Sequence, residues 1–319
     1  MAITLTSSGG VAAIKNRYYD ELFLRVAESN LVHKQLGQLN RKVEAGQGGY
    51  GTGVLYWTRF VNLSAISSSA TGEGVATSAI VISAINVTGS TVQLDNAVSY
   101  SDLLAYVSIG DFKKAAMERL AYNAGVSVDG YIRDAVCNSG TIMNINGAAH
   151  FSSIPTTGTM TIGNVRKAVR SLRRNDTMPL ADGSFVAVIH PDVAYDLEGD
   201  TTTGGWITTN TYVSTDKILN GEIGKLYGVR FLETSNGHTI AGSSTYVGSA
   251  TIYTTSFFGK DGFGVSELQN LQTFIKDFGS SGTADPTNKI ATLGWKCTFG
   301  ANMLNSNFYV NMRSLVSST

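Results

Sequence analysis

From Phe112 to Val136 an apolar residue stands at every fourth position: Phe112, Ala116, Leu120, Ala124, Val128, Ile132 and Val136. That is the spacing of one ridge along an α-helix, and it predicts a helix over 111–138. Ser108 or Asp111 is placed to cap its start, and Gly140 follows its end. At 1.5 Å per residue such a helix is a rod of roughly 40 Å. A step of four overshoots one turn, so the apolar row winds around the rod and meets several partners in succession. Ala115, Ala121 and Gly125 are small and admit the close approach of other backbones.

Residues 1–13 are small and polar and read as a flexible arm. The spacing from Lys15 to Gln35 predicts a second helix. Tyr18, Leu22, Val26, Leu31 and Val32 form its apolar face, with Asp20, Glu21, Arg25 and Glu28 outside. The pattern changes between 44 and 76. EAGQGGYGTG is dense in glycine, VLYWTRFVNL reads as a strand, and SAISSSATGEG is a low-complexity return. Two strands flanking a flexible tip predict a long hairpin-like excursion. It holds too few apolar residues to bury a core of its own, so it is either mobile or lies on another molecule. Ile80–Leu94 and Ala97–Val107 carry β-branched alternation and predict strands.

GTIMNINGA, after the long helix, reads as a short strand and turn. Ile162–Arg174 predicts an amphipathic helix, with Ile162, Val165, Val169 and Leu172 inward and four arginines outward. FVAVIHP is a continuous apolar strand, and PDVAYDLEGD opens a helix with proline in its first turn. A short helix near Lys217–Leu219, a strand at Val229–Glu233 and a turn-rich loop SNGHTIAGSSTY follow. Alternating strands and helices make 151–261 an α/β unit. GFGVSEL, LQTFIKDF, IATLGWKCTFGANML and FYVNMRSLV predict strands that return to the sheet begun before residue 110. One unit is then an insertion into the other.

The 319 residues suffice for a sizeable core and two subdomains. Basic and acidic residues balance at 24 each, and charged residues make up 15% of the chain. This composition argues against a nucleic-acid binder with a basic face and leaves only weak, non-specific contact with DNA. No run of about 18 apolar residues is present, so no membrane span is expected. MAITLTSSGG is not a signal peptide, which empties the three glycosylation-type triplets of meaning. Cys137 and Cys297 fit no framework or metal motif and read as reduced core residues.

Candidate chemistry is sparse. His33, His150, His190 and His238 are scattered without metal-ligand spacing and read as structural or exposed. His190-Pro191-Asp192 matches the co-chaperone tripeptide but follows a strand, not a helix. GGYGTG at 48–53 and GKDGFG at 259–264 lack the spacing or following helix of a phosphate loop. Arg166, Lys167, Arg170, Arg173 and Arg174 form the densest basic run, which serves either as a solvated face or as a surface for an acidic partner. No catalytic residue, cofactor site or metal site emerges, and no enzyme is expected.

Several stretches, in order, carry a resemblance: LVHKQLGQ at 31–38, the glycine-rich excursion with GEGV at 72–75, SYSDLLAYVSIGDF at 99–112, IHPDVAYDL at 189–197, NGEIGKLYGVRFLET at 220–234, FFGKDGFGVSEL at 257–268 and ADPTNKIATLGWKCTFGANMLN at 284–305. Together they resemble the major capsid proteins of tailed bacteriophages, with the Hong Kong-97-type capsid fold, and specifically the family typified by the short-tailed coliphage N-four. The resemblance implies an α+β fold. Its parts would be an N-terminal arm (1–40), an extended β-hairpin loop (41–78), a peripheral domain with the spine helix (79–150), an α/β axial domain (151–261) and return strands of the peripheral domain (262–319). It implies self-assembly through pentamers and hexamers into the virion shell inside the host cytoplasm, with portal, scaffold and decoration proteins as further partners and no cofactor. The chain starts at Met1 without a long charged helical prefix, so a cleaved scaffold segment is not expected. Arm and loop should lie across neighbouring copies, with Val54, Leu55, Tyr56, Trp57 and Phe60 making the apolar contacts. The reading from another class is a secreted or surface β-rich adhesin or carbohydrate-binding module. It fits the Gly, Ser and Thr content but not the long helix.

Overall fold

The computed structural model describes residues 20–27, 31–39, 54–61, 63, 74, 80–107, 111–200, 222–241, 250–280 and 285–317. Residues 20–27 (α1) and Val32–Leu36 (α2) are helical, and Gln38–Leu39 (β1) is a two-residue strand. Val54–Phe60 (β2), Ala84–Ser90 (β3) and Val92–Ser101 (β4) precede the short helix Asp102–Val107 (α3) and the long helix Phe112–Cys137 (α4). Then come Thr141–Asn144 (β5), Ile162–Arg174 (α5), Phe185–Ile189 (β6) and Pro191–Glu198 (α6). Glu222–Leu226 (β7), Val229–Glu233 (β8), His238–Ile240 (β9) and Ile252–Phe258 (β10) follow, and the last strands are Phe263–Lys276 (β11), Ile290–Met303 (β12) and Tyr309–Ser314 (β13).

Helix α4 begins where Asp111 accepts a hydrogen bond from the Lys114 amide at 3.1 Å, which satisfies one of the orphan donors of the first turn. Along the predicted ridge Ala116, Leu120, Ala124, Val128, Ile132 and Val136 are buried, and Phe112 is half-buried. A second row, Met117, Ala121, Gly125 and Asp129, is buried beside it, whereas Ala115 is exposed. The partners change along the rod. Asn123 accepts from Asn96 of β4 at 2.9 Å and from the Trp295 indole of β12 at 3.3 Å. One turn and a half later Asp129, fully buried, accepts the His33 amide at 2.7 Å, and its other oxygen lies 2.8 Å from His33 Nδ1. At the far end Asn311 of β13 donates to the carbonyls of Val136, Cys137 and Ser139. That side chain ties β13 to the last carbonyls of the helix and the turn after it, where intrahelical partners run out.

A four-stranded sheet has the order β1-β11-β12-β4, antiparallel except for β1. A larger mixed sheet has the order β5-β13-β10-β6-β8-β7, with β9 paired to β10. Strand β6 is buried at all five positions, as expected of an apolar run covered on both faces. Val186 and Val188 join the core that holds α4, while Phe185, Ala187 and Ile189 join the core under α5 and α6. Layered helix–sheet–helix packing therefore surrounds the central strands.

The structure corrects several sequence expectations. The helix predicted over Lys15–Gln35 is interrupted at Leu31, whose φ of −95° and ψ of 81° are not helical. Residues 1–19 and 28–30 lie outside the described residues. Phe23, Ala27 and Leu31 are buried in the chain's own core, so residues 20–27 and 31–39 pack at home, where the sequence expected an arm laid across a neighbour. Asp102–Val107 is a helix and not the end of a strand, because Ser101 and Asp102 accept hydrogen bonds from the first free amides, those of Leu104 and Leu103. β9 lies inside the predicted loop, and neither β7 nor β10 was predicted. The expected helix near Lys217–Leu219 falls outside the described residues. GFGVSEL and LQTFIKDF form a single strand, β11, bent by register shifts between Glu267 and Gln272. β11 and β12 do return to β4, but β13 and β5 belong to the larger sheet.

Candidate assembly surface

Strands β2 and β3 form a separate two-stranded ribbon with seven paired positions, from Val54↔Ser90 to Phe60↔Ala84. The partner of Val54–Phe60 thus lies beyond the 41–78 segment assigned to the excursion. Alternation places Leu55 and Trp57 on one face of β2, and both are buried against the chain's own β11–β12 hairpin. Glycines make that approach possible. A Cβ on Gly300 would stand 2.4 Å from Leu55 Cδ1, one on Gly264 would stand 2.5 Å from Trp57 Nε1, and one on Gly89 would stand 2.9 Å from the same indole. Asn302 donates to the Thr88 carbonyl at 2.5 Å and ties β3 down.

Past Trp57 the ribbon leaves the body of the protein. Thr58, Arg59 and Phe60 are exposed, with Phe60 at 71%. Val61, Leu63, Ile80, Val81, Ile82 and Ile85 are exposed beside it, Val81 at 86%, and the Val61 amide donates to Ser83 so that pairing continues outward. Arg59 is the one charged residue in β2 and β3. A two-stranded ribbon is marginal by itself in water, and an apolar patch of this extent marks an interaction site. Of the five contact residues predicted from sequence, Phe60 is available, Val54 and Tyr56 are half-buried, and Leu55 and Trp57 are occupied by the chain itself. The distal residues Val61, Leu63, Ile80, Val81, Ile82 and Ile85 were missed, although the unbroken Ile80-Val81-Ile82 run was a signal.

The remaining candidates resolve into structure. His33 anchors α2 to α4. His190 caps α6 by accepting the Asp192 amide at 3.2 Å. His150 pairs with Ser152, and His238 Nδ1 lies 3.1 Å from Thr254 Oγ1. Among the described residues no group of three His, Cys, Asp or Glu is placed to hold a metal ion. In GKDGFG, Gly259 sits where a Cβ would be 2.4 Å from the Met178 carbonyl, so its glycines serve close packing. GGYGTG lies outside the described residues. Cys137 and Cys297 are free and buried, and burial pushes both thiols up to about 11, which keeps them protonated at neutral pH. No described helix is long and apolar enough to cross a membrane.

A scan against protein-family models and a sequence search of curated proteins give no match. Solved structures do match. The capsid of Ralstonia phage GP4 superposes with a TM-score of 0.67 at 13% identity, over 91% of each chain. The cyanophage Pam1 capsid gives 0.63 at 15% identity over 88% of this chain and 89% of that one. The capsid of cyanophage P-SCSP1u gives 0.62 at 13% identity over 87% and 86%. The chain has the phage capsid fold. The likeness extends over about nine-tenths of the chain. The α+β class expected from sequence is therefore the class observed.

Proposed function

We propose that this chain is the major capsid protein of a short-tailed bacteriophage of the coliphage N-four type. Copies assemble through pentamers and hexamers into an icosahedral shell around double-stranded DNA. One observation carries the reading: a phage-capsid backbone holds out a ribbon docked at one end and bare of cover at the other, with seven large apolar side chains exposed there. Those side chains are completed by another copy, and each fully covered one contributes about 1.5–3 kcal/mol of burial. A shell sums many such contacts, so each can be modest. The almost uncharged ribbon meets a like subunit without repulsion.

The four-stranded sheet with α4 then forms the peripheral domain, and the larger sheet with α5 and α6 forms the axial domain. Strands β5 and β13 reassign two segments from the first to the second. The role is structural rather than enzymatic, in the virion after assembly in the host cytoplasm, with portal, scaffold and decoration proteins as further contacts. The ordered stretches between 31 and 305 support the N-four grouping. The adhesin reading has no support among the likenesses. The test is electron microscopy and size-exclusion of the purified full chain beside a Phe60→Ser/Val81→Ser/Ile82→Ser variant. Rings or hollow shells from the parent and dispersed subunits from the variant are expected. Closed shells from the variant would overturn the role given to the ribbon, and a parent that never assembles would overturn the function.

A further inference from the structure

Helix α5 carries Arg166, Lys167, Arg170, Arg173 and Arg174 and not one acidic residue in its 13 positions. Ile162, Val165, Ala168, Val169 and Leu172 face the sheet, which puts all five cations on the outer side, where they are exposed. Arg166, Arg170 and Arg174 succeed one another four residues apart, a spacing at which like charges destabilise a helix. The helix dipole offsets this for Arg173 and Arg174 in the last turn, but not for Arg166 or Arg170. Among the described residues none of the four arginines forms an ion pair. Asp182, on the nearby strand margin, is already held by Arg230 at 2.6 Å and Lys225 at 3.5 Å.

The β7–β8 turn completes the feature. Tyr227 sits there in the left-handed region, with φ of 52°, and the Arg166 guanidinium lies 5.7 Å above its ring, a cation–π arrangement. Arg166, Val169, Arg170, Arg173, Arg174 and Tyr227 line one open groove of about 650 Å³. The chain's zero net charge conceals this concentration.

We propose that this groove binds the phosphate backbone of nucleic acid. Guanidinium forks match phosphate oxygens two at a time. A protein partner would need apolar anchors at the centre of the contact, where charges are depleted. Here the centre is four cations, with only Val169 and the Tyr227 ring apolar, the composition of a nucleic-acid face. From Arg166 to Arg174 the helix advances roughly 12 Å, and a duplex carries one charge per about 1.7 Å of axis, so the four arginines reach several phosphates at once. Binding is independent of sequence and sensitive to salt. The inference rests on the shell reading only for the source of the nucleic acid, which is the enclosed genome, and every copy adds one weak contact.

The test is fluorescence anisotropy of a short mixed-sequence DNA duplex with the unassembled full chain over a salt series. A slope of about −0.9 per phosphate contacted is expected. Arg166→Gln/Arg170→Gln/Arg173→Gln/Arg174→Gln should lower affinity at least about tenfold at low salt and flatten the slope by roughly 3. Arg166→Gln/Arg170→Gln should take about half of that. Lys276→Gln/Lys289→Gln should change neither. Circular dichroism confirms that the variants fold. Wild-type affinity and slope in the quadruple variant would overturn the proposal, as would no duplex binding by the parent at low salt. Tighter binding of a polyglutamate peptide than of the duplex, lost in the same variant, would overturn it in favour of an acidic protein. Shell formation is scored separately by microscopy, so failure of the groove and failure of the shell reading are told apart.

Discussion

Helix α4 and the β2–β3 ribbon both carry strong apolar faces, yet the chain covers the first and leaves half of the second in water. On α4 the ridge from Ala116 to Val136 is buried, its carboxylate Asp129 is held by His33, and its last carbonyls are held by Asn311. On the ribbon Leu55 and Trp57, with Val87 and Thr88 beside them, reach the body, and the described ribbon residues past Trp57 are exposed. The cause is position. α4 runs between two sheets and finds a partner on each side, whereas the β11–β12 hairpin lies beneath only one end of the ribbon. Under the proposed function, stability and assembly are divided between regions: α4, completed by its own chain, is what the subunit needs to fold, and the ribbon, left incomplete, is what subunits need to join.

That division is open to attack by substitution. The largest effect is expected from Asp129→Ala, which leaves His33 buried without its partner. The His33 amide and ring both lose their acceptor, and each buried polar group left unsatisfied costs about 1–3 kcal/mol, to be read from urea unfolding of the subunit. A loss below about 1 kcal/mol would show that α2 does not depend on this anchor. Next comes Gly300→Ala, which places a Cβ against Leu55 and 2.8 Å from the Ser90 carbonyl. Overpacking of this kind costs about 1–3 kcal/mol, and Trp57 fluorescence should shift to the red as the ribbon lifts. An unchanged spectrum would mean that the docked end adapts.

Smaller still for the subunit is Phe60→Ser/Val81→Ser/Ile82→Ser. Each exposed change should move unfolding stability by no more than about 0.5 kcal/mol while shells disappear. A large stability loss would place those side chains in the subunit core and break the contrast. The least effect concerns pH. Burial holds the His238 imidazole below its ordinary value of 6.5. As pH falls through 6.5 the unfolded chain takes the proton first, so stability present above that value declines below it. His238→Asn should flatten this decline in urea midpoints measured between pH 7 and pH 5.

The elements read correctly from sequence are those whose signals are local and agree. Ile162–Arg174, FVAVI, the helix opened by Pro191 and Val229–Glu233 each combine a clear period with a clear boundary. β10 escaped because six of its seven residues are buried, which erases the alternation that marks a strand with one wet face. α3 escaped because DLLAYV is apolar at every position after Asp102 and too short to show a period, and the capping by Ser101 and Asp102 decided its conformation. At the proposed assembly surface Phe60 was legible as a large apolar residue in a segment without a core. Leu55 and Trp57 were not, because Gly264 and Gly300, more than two hundred residues away, make the floor that covers them.

By itself the sequence determined the long helix on its four-residue ridge and the α/β alternation after residue 160, and it narrowed the helix cap to Ser108 or Asp111. Those features depend on neighbours within a few residues, and spacing records them. Tertiary structure decided which apolar faces are covered, that His33 meets Asp129 across 96 positions, and that Tyr227 closes a groove over the α5 arginines. Burial and charge clustering depend on distances between segments that only the folded backbone sets.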